Sequence, residues 1–260
     1  MKKLLKLAAV VVAAVVVLTS FAGCSSAKSL EDIQKSGKLV MATSPDFPPF
    51  EYLEGDKVVG IEVEIMELVA KDLGVELVIE QMDFDSVLPG VQAGKFDVGV
   101  SGITVTDERK ENADFTDAYF LASQAIVVMA DSDIKGKADL TGKKIAIQTG
   151  TTAEDYCMSE GYEVSAFTAN NDAASALTSG KVDAWVVDNA VAIALSAQQN
   201  GKTKVLDEAM TREPYAFAFA KGSDTLVEAV NESLKKYMAD GTVEKIFEKY
   251  EEPWVSPDTK

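Results

Sequence analysis

The sequence predicts an α/β protein built as two lobes around largely parallel sheets. Two observations carry this. Short runs rich in β-branched residues alternate with stretches of helical periodicity along most of the chain. The chain of 260 residues, less a 23-residue leader, leaves 237, more than a modal single domain and enough for two lobes with separate cores. In order, Lys38–Thr43 is predicted as a strand and is followed by a Pro-rich loop from Ser44 to Phe50. A hairpin turn is predicted at Glu54–Lys57. The next segment, Ile61–Leu73, puts Ile61, Ile65, Leu68, Val69 and Leu73 on one helical face, and Gly74 stops it. Val75–Met82 is a predicted strand, Ser86–Ala93 a short helix ending at Gly94, and Asp97–Ser101 another strand. Further strands are predicted at Gln124–Ala130, Lys144–Gln148, Val182–Val187 and Ala216–Ala220. Helices are predicted after Gly150, around Asp172–Ser179, and at Asn189–Gln199, Asp224–Ala239 and Thr242–Tyr250.

The N-terminus carries a second signal. Lys2, Lys3 and Lys6 precede an unbroken Ala/Val/Leu run from Leu7 to Leu18. That run is short for a bilayer-spanning helix, which needs about 20 residues, and suits the core of a secretory signal. Phe21-Ala22-Gly23-Cys24 then reads as a lipoprotein signal: residues 1–23 are removed and Cys24 carries a lipid that anchors the protein to the bilayer outside the cytoplasm. Phe21 stands where Leu is usual, and an uncleaved N-terminal anchor is the alternative. Residues 24–37 are read as a tether with a short helix. Of the two cysteines, an acylated Cys24 leaves Cys157 unpaired, so no intrachain disulfide is expected; Cys157 reads as a small buried apolar residue.

Composition narrows the function. The formal charge of −17 becomes −20 once the three leader lysines are gone, which argues against nucleic acid and anionic lipid headgroups as partners. With no histidine, imidazole metal sites, Ser-His-Asp triads and Cys-His dyads are excluded, and no metal or organic cofactor is expected.

Ligands of α/β folds bind at the carboxyl ends of strands, so three loops are candidates. In Ser101–Arg109, Gly102 allows close backbone approach, Thr104 offers a hydroxyl and Arg109 can grip a carboxylate with two parallel hydrogen bonds. The bland alternative makes Thr106 a helix cap and Arg109 a solvated charge. In Gln148–Thr152, a strand runs through Gly150 into a helix whose first N–H groups suit an anion; a plain turn with a Thr cap is the alternative. Asp188 follows an apolar strand, to face a cleft and pair with an ammonium or to cap the next helix. Phe47, Phe50 and Phe84 are read as loop aromatics, each either core or ligand platform. Together Arg109, the helix start and Asp188 match an α-amino acid zwitterion.

Five segments, ATSPDFPPFEY (42–52), the stretch 82–110, DLTGKKIAIQTGTTAEDY (139–156), LTSGKVDAWVVDNAVA (177–192) and DGTVEKIFEKY (240–250), resemble the periplasmic polar amino-acid-binding proteins of ABC importers. The resemblance implies the two-lobed type II periplasmic-binding-protein fold with two crossover strands. Lobe 1 spans 38–122 plus 218–260 and lobe 2 spans 123–217. A monomer would close around one amino acid and deliver it to an ABC transporter permease. It further implies that Arg109 binds the α-carboxylate with Thr104 and the Thr152 backbone. Asp188, the Gly102 carbonyl and Thr104 bind the α-amino group, and Phe47 and Phe84 sandwich the side chain. Thr151 and Ser101 belong to the same loops. Ser44 stands where basic- and glutamine-binding relatives often carry Asp, which favours a neutral polar side chain unless Glu51 substitutes, and Gln148 is expected to help set specificity. Secreted cyclohexadienyl dehydratases share this fold, with Glu51, Glu154 and Asp155 as the acids available for such chemistry. A stand-alone ligand sensor is a third reading.

Overall fold

The computed structural model describes residues 27–258; the leader over 1–23 and Cys24 lie outside the described residues. Two five-stranded mixed sheets organise the chain. In the first, the strand order is Glu76–Gln81, Lys38–Thr43, Val98–Gly99, Ala218–Ala220, Ala113–Phe115. Lys38–Thr43 runs parallel to both of its neighbours, while Ala218–Ala220 runs antiparallel to Val98–Gly99 and Ala113–Phe115. The second sheet repeats the plan in the order Glu163–Phe167, Lys144–Gln148, Ala184–Asp188, Gln124–Met129, Thr203–Val205. Here too three parallel strands give way to antiparallel ones.

Where the chain passes between the sheets, Phe120–Ala122 and Glu213–Tyr215 pair antiparallel, with Tyr215 opposite Phe120. A small three-stranded sheet, Asp46–Phe47, Glu51–Glu54 and Lys57–Val59, hangs from the first sheet. Helices cover both sheets. Ile61–Leu73 buries Val63 and Met66 as well as the predicted Ile61, Ile65, Val69 and Leu73, while Leu68 is only half-buried; Gly74 ends it in the left-handed conformation. The N-terminal helix Leu30–Ser36 begins with a capping box between Ser29 and Asp32.

Several boundaries differ from expectation. Phe84 is the first residue of helix Phe84–Gln92 and Phe47 lies in a two-residue strand, so neither is a loop aromatic, while Phe50 is core. Asp188 is the last residue of its strand rather than the first beyond it. The predicted strand Asp97–Ser101 forms only at Val98–Gly99; beyond it the Ser101 hydroxyl accepts from the Ser44 backbone N–H and donates to the Glu51 carboxyl. The cores are not separate: the largest apolar cluster runs from Leu39 and Met41 through Phe120 and Tyr215 at the crossing to Ala146 and Trp185. Cys157 is fully buried beside Ile145 and Val186, and burial pushes its thiol up to about 12.

Candidate ligand-binding site

Nine of the eleven predicted site residues line one narrow pocket between the two sheets: Phe47, Phe84, Gly102, Thr104 and Arg109 on one side, Gln148, Thr151, Thr152 and Asp188 on the other. The remaining two, Ser44 and Ser101, are buried behind it.

The first wall grows out of strand Val98–Gly99. Gly102 sits at φ +53° with the Phe47 ring packed on it; a Cβ there would meet Phe47 Cε1 at 2.4 Å. Glycine is therefore required for both conformation and contact. The chain then enters helix Asp107–Asn112, which Thr106 caps by accepting from the Arg109 N–H at 3.1 Å. The capping alternative is thus realised, yet it does not remove Arg109 from the pocket. Arg109 Nη1 donates to the Thr104 carbonyl at 2.8 Å and Nη2 reaches across to the Gly150 carbonyl at 3.1 Å. The guanidinium carbon stands 5.9 Å from the centroid of the Phe84 ring. Five N–H bonds radiate from a guanidinium, so three remain for a ligand. Burial lowers the Arg109 pKa, opposed by Asp155, Glu213 and Asp188, but a guanidinium stays charged throughout the working range.

The facing wall rests on two strand ends. After Lys144–Gln148 the chain turns through Gly150 into helix Thr152–Ser159. Thr151 caps this helix by accepting from the Glu154 N–H at 3.3 Å, and its own proton goes to the Gln148 carbonyl at 2.7 Å. A Cβ on Gly150, at φ +78°, would come within 3.1 Å of Asp85 Cβ, so this glycine lets the two walls approach. Asp188 ends the neighbouring strand and makes no capping bond to the helix that follows, Asn189–Ala197. Its Oδ2 accepts from Gln124 Nε2 at 3.0 Å, whereas Oδ1 is buried without a hydrogen-bond partner. The Tyr215 hydroxyl faces it without reaching hydrogen-bonding geometry. Burial, and then the charge on Glu213, push the Asp188 carboxyl up to about 7. A buried carboxylate oxygen with no donor is costly, and a ligand ammonium is the group that would relieve it.

Four functional residues escaped the sequence reading. Gln124, opposite Asp188 in the ladder, bonds both Asp188 and, at 3.4 Å, the Thr152 hydroxyl. The only local signal was a glutamine opening an otherwise apolar strand. Asp46 reaches across from the small sheet to Gln148 and Asn170. Glu62 accepts from the Gly102 N–H at 2.9 Å through Oε2 and from the Tyr119 hydroxyl through Oε1. Tyr119 itself is buried and gave no signal.

Glu51 does not take the place of an acid at Ser44. It is fully buried beneath the pocket, accepts from the Ser101 hydroxyl at 3.0 Å, and lies against Glu62. Burial, and then the neighbouring Glu62, push its carboxyl well above the ordinary value. Ser101 in turn accepts from the Ser44 N–H at 3.1 Å, and the Ser44 hydroxyl donates to Asp46 at 3.0 Å. Both serines therefore brace the wall from behind.

A wider groove of about 380 Å³ opens on the other side of Arg109, lined by Asp85, Glu108 and Asp155 among others. Its surplus of carboxylates makes it a poor match for a zwitterion. The small pocket instead places spare N–H donors at Arg109 and a partnerless carboxylate oxygen at Asp188. Among the described residues no cluster of His, Cys, Asp and Glu could hold a metal ion.

The profile of the bacterial extracellular solute-binding proteins, family 3, matches residues 39–253. The arginine-binding extracellular protein ArtP of Bacillus subtilis is 33% identical over 233 residues, covering 87% of this chain and 91% of its own. Among solved structures, a mutant of ArgBP from T. maritima superposes with a TM-score of 0.81 at 37% identity, covering 85% of this chain and 98% of that one. An ancestral arginine-binding protein bound to glutamine gives 0.79 at 42% identity, over 82% and 97%. These relatives are named as binding proteins and not as enzymes. The two-lobed architecture, the matched span and these likenesses agree: the chain belongs to the bacterial extracellular solute-binding proteins, family 3.

Proposed function

We propose that this protein captures one α-amino acid between its lobes and hands it to the permease of an ABC importer. The observation that carries the reading is the pairing of Arg109, with three uncommitted N–H groups, and Asp188, with one unpartnered oxygen, in the same pocket. Together they complement a carboxylate and an ammonium held one carbon apart. Thr104, Gly102 and Thr152 assist them, and Phe47 and Phe84 flank the side chain.

In this reading the lobes are residues 38–122 plus 218–260 and residues 123–217, and the paired crossing at Phe120–Ala122 and Glu213–Tyr215 is the hinge. Arg109 and Asp188 belong to different lobes, so an amino acid touches both at once only when they are closed. Closure follows because those contacts are better made in that state. A polar side chain is preferred, a neutral one in this reading because Ser44 supplies no acid; ancestral arginine-binding proteins bound to glutamine and to arginine support a polar ligand. The mature protein is taken as a monomer tethered by a lipid on Cys24, with residues 1–23 removed.

The test is calorimetric titration of the mature chain, unfolded and refolded to strip carried-over ligand, against the twenty amino acids and cystine. Saturable one-to-one binding of one or a few is expected. Silence across the panel would end the amino-acid reading. Metabolic labelling with a radioactive fatty acid, lost on Cys24→Ala, tests the anchor.

A further inference from the structure

The polar groups of the pocket divide into two sets. Arg109, Asp188, Thr104, Gly102 and Thr152 are taken up by the zwitterion, on the amino-acid reading on which this inference rests. Gln148 and Thr151 remain for the side chain. Neither side chain has a proton to give. The Thr151 hydroxyl donates to the Gln148 carbonyl at 2.7 Å. Gln148 Nε2 lies 3.2 Å from Asp46 Oδ2 and 3.0 Å from the Thr168 carbonyl.

Chemistry fixes which way this amide points. A carboxylate and a backbone carbonyl can only accept, so the atom between them is the nitrogen and both of its N–H groups are committed. The other end, Oε1, accepts from Asn170 Nδ2 at 2.9 Å and keeps one lone pair. Asp46 locks the arrangement from the opposite lobe. Its Oδ2 also accepts from the Asn170 backbone N–H at 2.7 Å and its Oδ1 from Ser44 at 3.0 Å. Those donors are all neutral, so the carboxylate charge behind Gln148 is solvated by hydrogen bonds alone.

We infer that the Asp46–Gln148–Asn170 cluster makes the side-chain end of the pocket an acceptor, selecting amino acids whose side chains end in N–H donors and rejecting those that end in a carboxylate. Asp46 is then a specificity-determining residue although it does not line the pocket. It denies the ligand Gln148's donors and adds a negative field behind them. A glutamine or arginine side chain finds a lone pair to bond. A glutamate side chain finds no side-chain donor at Gln148 or Thr151 and a like charge behind the wall.

The experiment is a titration of glutamine, asparagine, arginine, glutamate, aspartate and leucine into the refolded mature protein at pH 7, repeated with Asp46→Ala and Asp46→Asn. The tightest ligand of the wild type should end in N–H and should bind at least about 100-fold more tightly than glutamate. In Asp46→Ala that ratio should fall about tenfold, because one Gln148 N–H is released and the charge is gone. The ratio is read, rather than either constant, because loss of a bond across the lobes weakens all ligands alike. Asp46→Asn, which keeps an acceptor for Gln148 and Asn170, should fold as the wild type does and relax the ratio by a smaller factor. A carboxylate- or hydrocarbon-tipped ligand that binds tightest would overturn the inference while leaving the amino-acid reading intact. So would a ratio unmoved in both variants. Failure of every amino acid to bind would overturn that reading and the inference with it.

Discussion

Asp188→Asn isolates the charge on which the proposed ammonium site depends. Asp188 is almost fully buried, one oxygen bonded to Gln124 and the other unpartnered, and its carboxyl titrates at about 7 instead of the ordinary 3.8. At pH 7 about half of the free molecules therefore carry the charge that an ammonium needs, and at pH 5 about one in a hundred does. The amino acid keeps both of its own charges over this range. If only the ionised form binds, affinity falls about 50-fold from pH 7 to pH 5, a little over 2 kcal/mol. Binding at pH 7 should take about half a proton off the protein, which calorimetry reads as a buffer-dependent heat. Asp188→Asn should bind at least roughly 30-fold more weakly at pH 7, since removing one partner of a buried charge pair costs about 2 kcal/mol or more. Its affinity should also be flat from pH 5 to 7. A wild-type constant that does not change over this range, or an Asn variant that follows the same pH curve, would refute the assignment.

Arg109→Lys keeps the charge but loses the planar fork, so binding should weaken at least tenfold, and Arg109→Ala should weaken it further. Near-native calorimetric affinity in either would remove Arg109 from the carboxylate site. Gly102→Ala puts a Cβ 2.4 Å from the Phe47 ring at φ +53°, so thermal unfolding should report a loss of about 1–2 kcal/mol and titration a weakened site. An unchanged melting curve would contradict this packing. Because burial raises the Glu51 carboxyl above its ordinary value of 4.5, the folded state holds a proton there that the unfolded chain has released once pH passes that value. As pH rises past that value, folded stability should fall by up to about 1.4 kcal/mol per unit until Glu51 itself ionises. Glu51→Gln should lack this component, which urea unfolding at pH 5, 6 and 7 would show as a shallower slope than the wild type's.

How the site emerged from the sequence has a physical logic. Arg109, Gly150 and Asp188 drew notice because each lies at or beyond the carboxyl end of an apolar strand, where the α/β plan puts its ligand loops. The short strands Ala113–Phe115, Phe120–Ala122, Thr203–Val205 and Glu213–Tyr215 were not, because three residues give no usable period and their pairing is decided by distant partners. Glu163–Phe167 was missed for a related reason: at the sheet edge it is mostly exposed or half-buried and pairs on one side only. Phe84 was placed in a loop although it starts its helix, since Asp83 precedes it without a side-chain capping bond. Asp46, Glu62 and Gln124 act on groups 40 or more residues away in the case of Glu62 and 102 in the case of Asp46, a separation at which spacing carries no information. Glu51 stood in the sequence as a substitute for the acid missing at Ser44, but a strand alternates its faces, and this residue points inward to Ser101 and Glu62.

The strand order also sets a timetable for synthesis. Ala218–Ala220 lies between Val98–Gly99 and Ala113–Phe115, so the latter can join its sheet only after residue 220 has been made. The second sheet has all five strands by Val205, although its first begins 86 residues after Lys38 starts the other. The lobe that starts later is thus complete earlier, and the first waits with an open edge for the returning chain. Because domains fold as units once their strands are available, the inserted lobe is the one able to fold while the chain is still emerging.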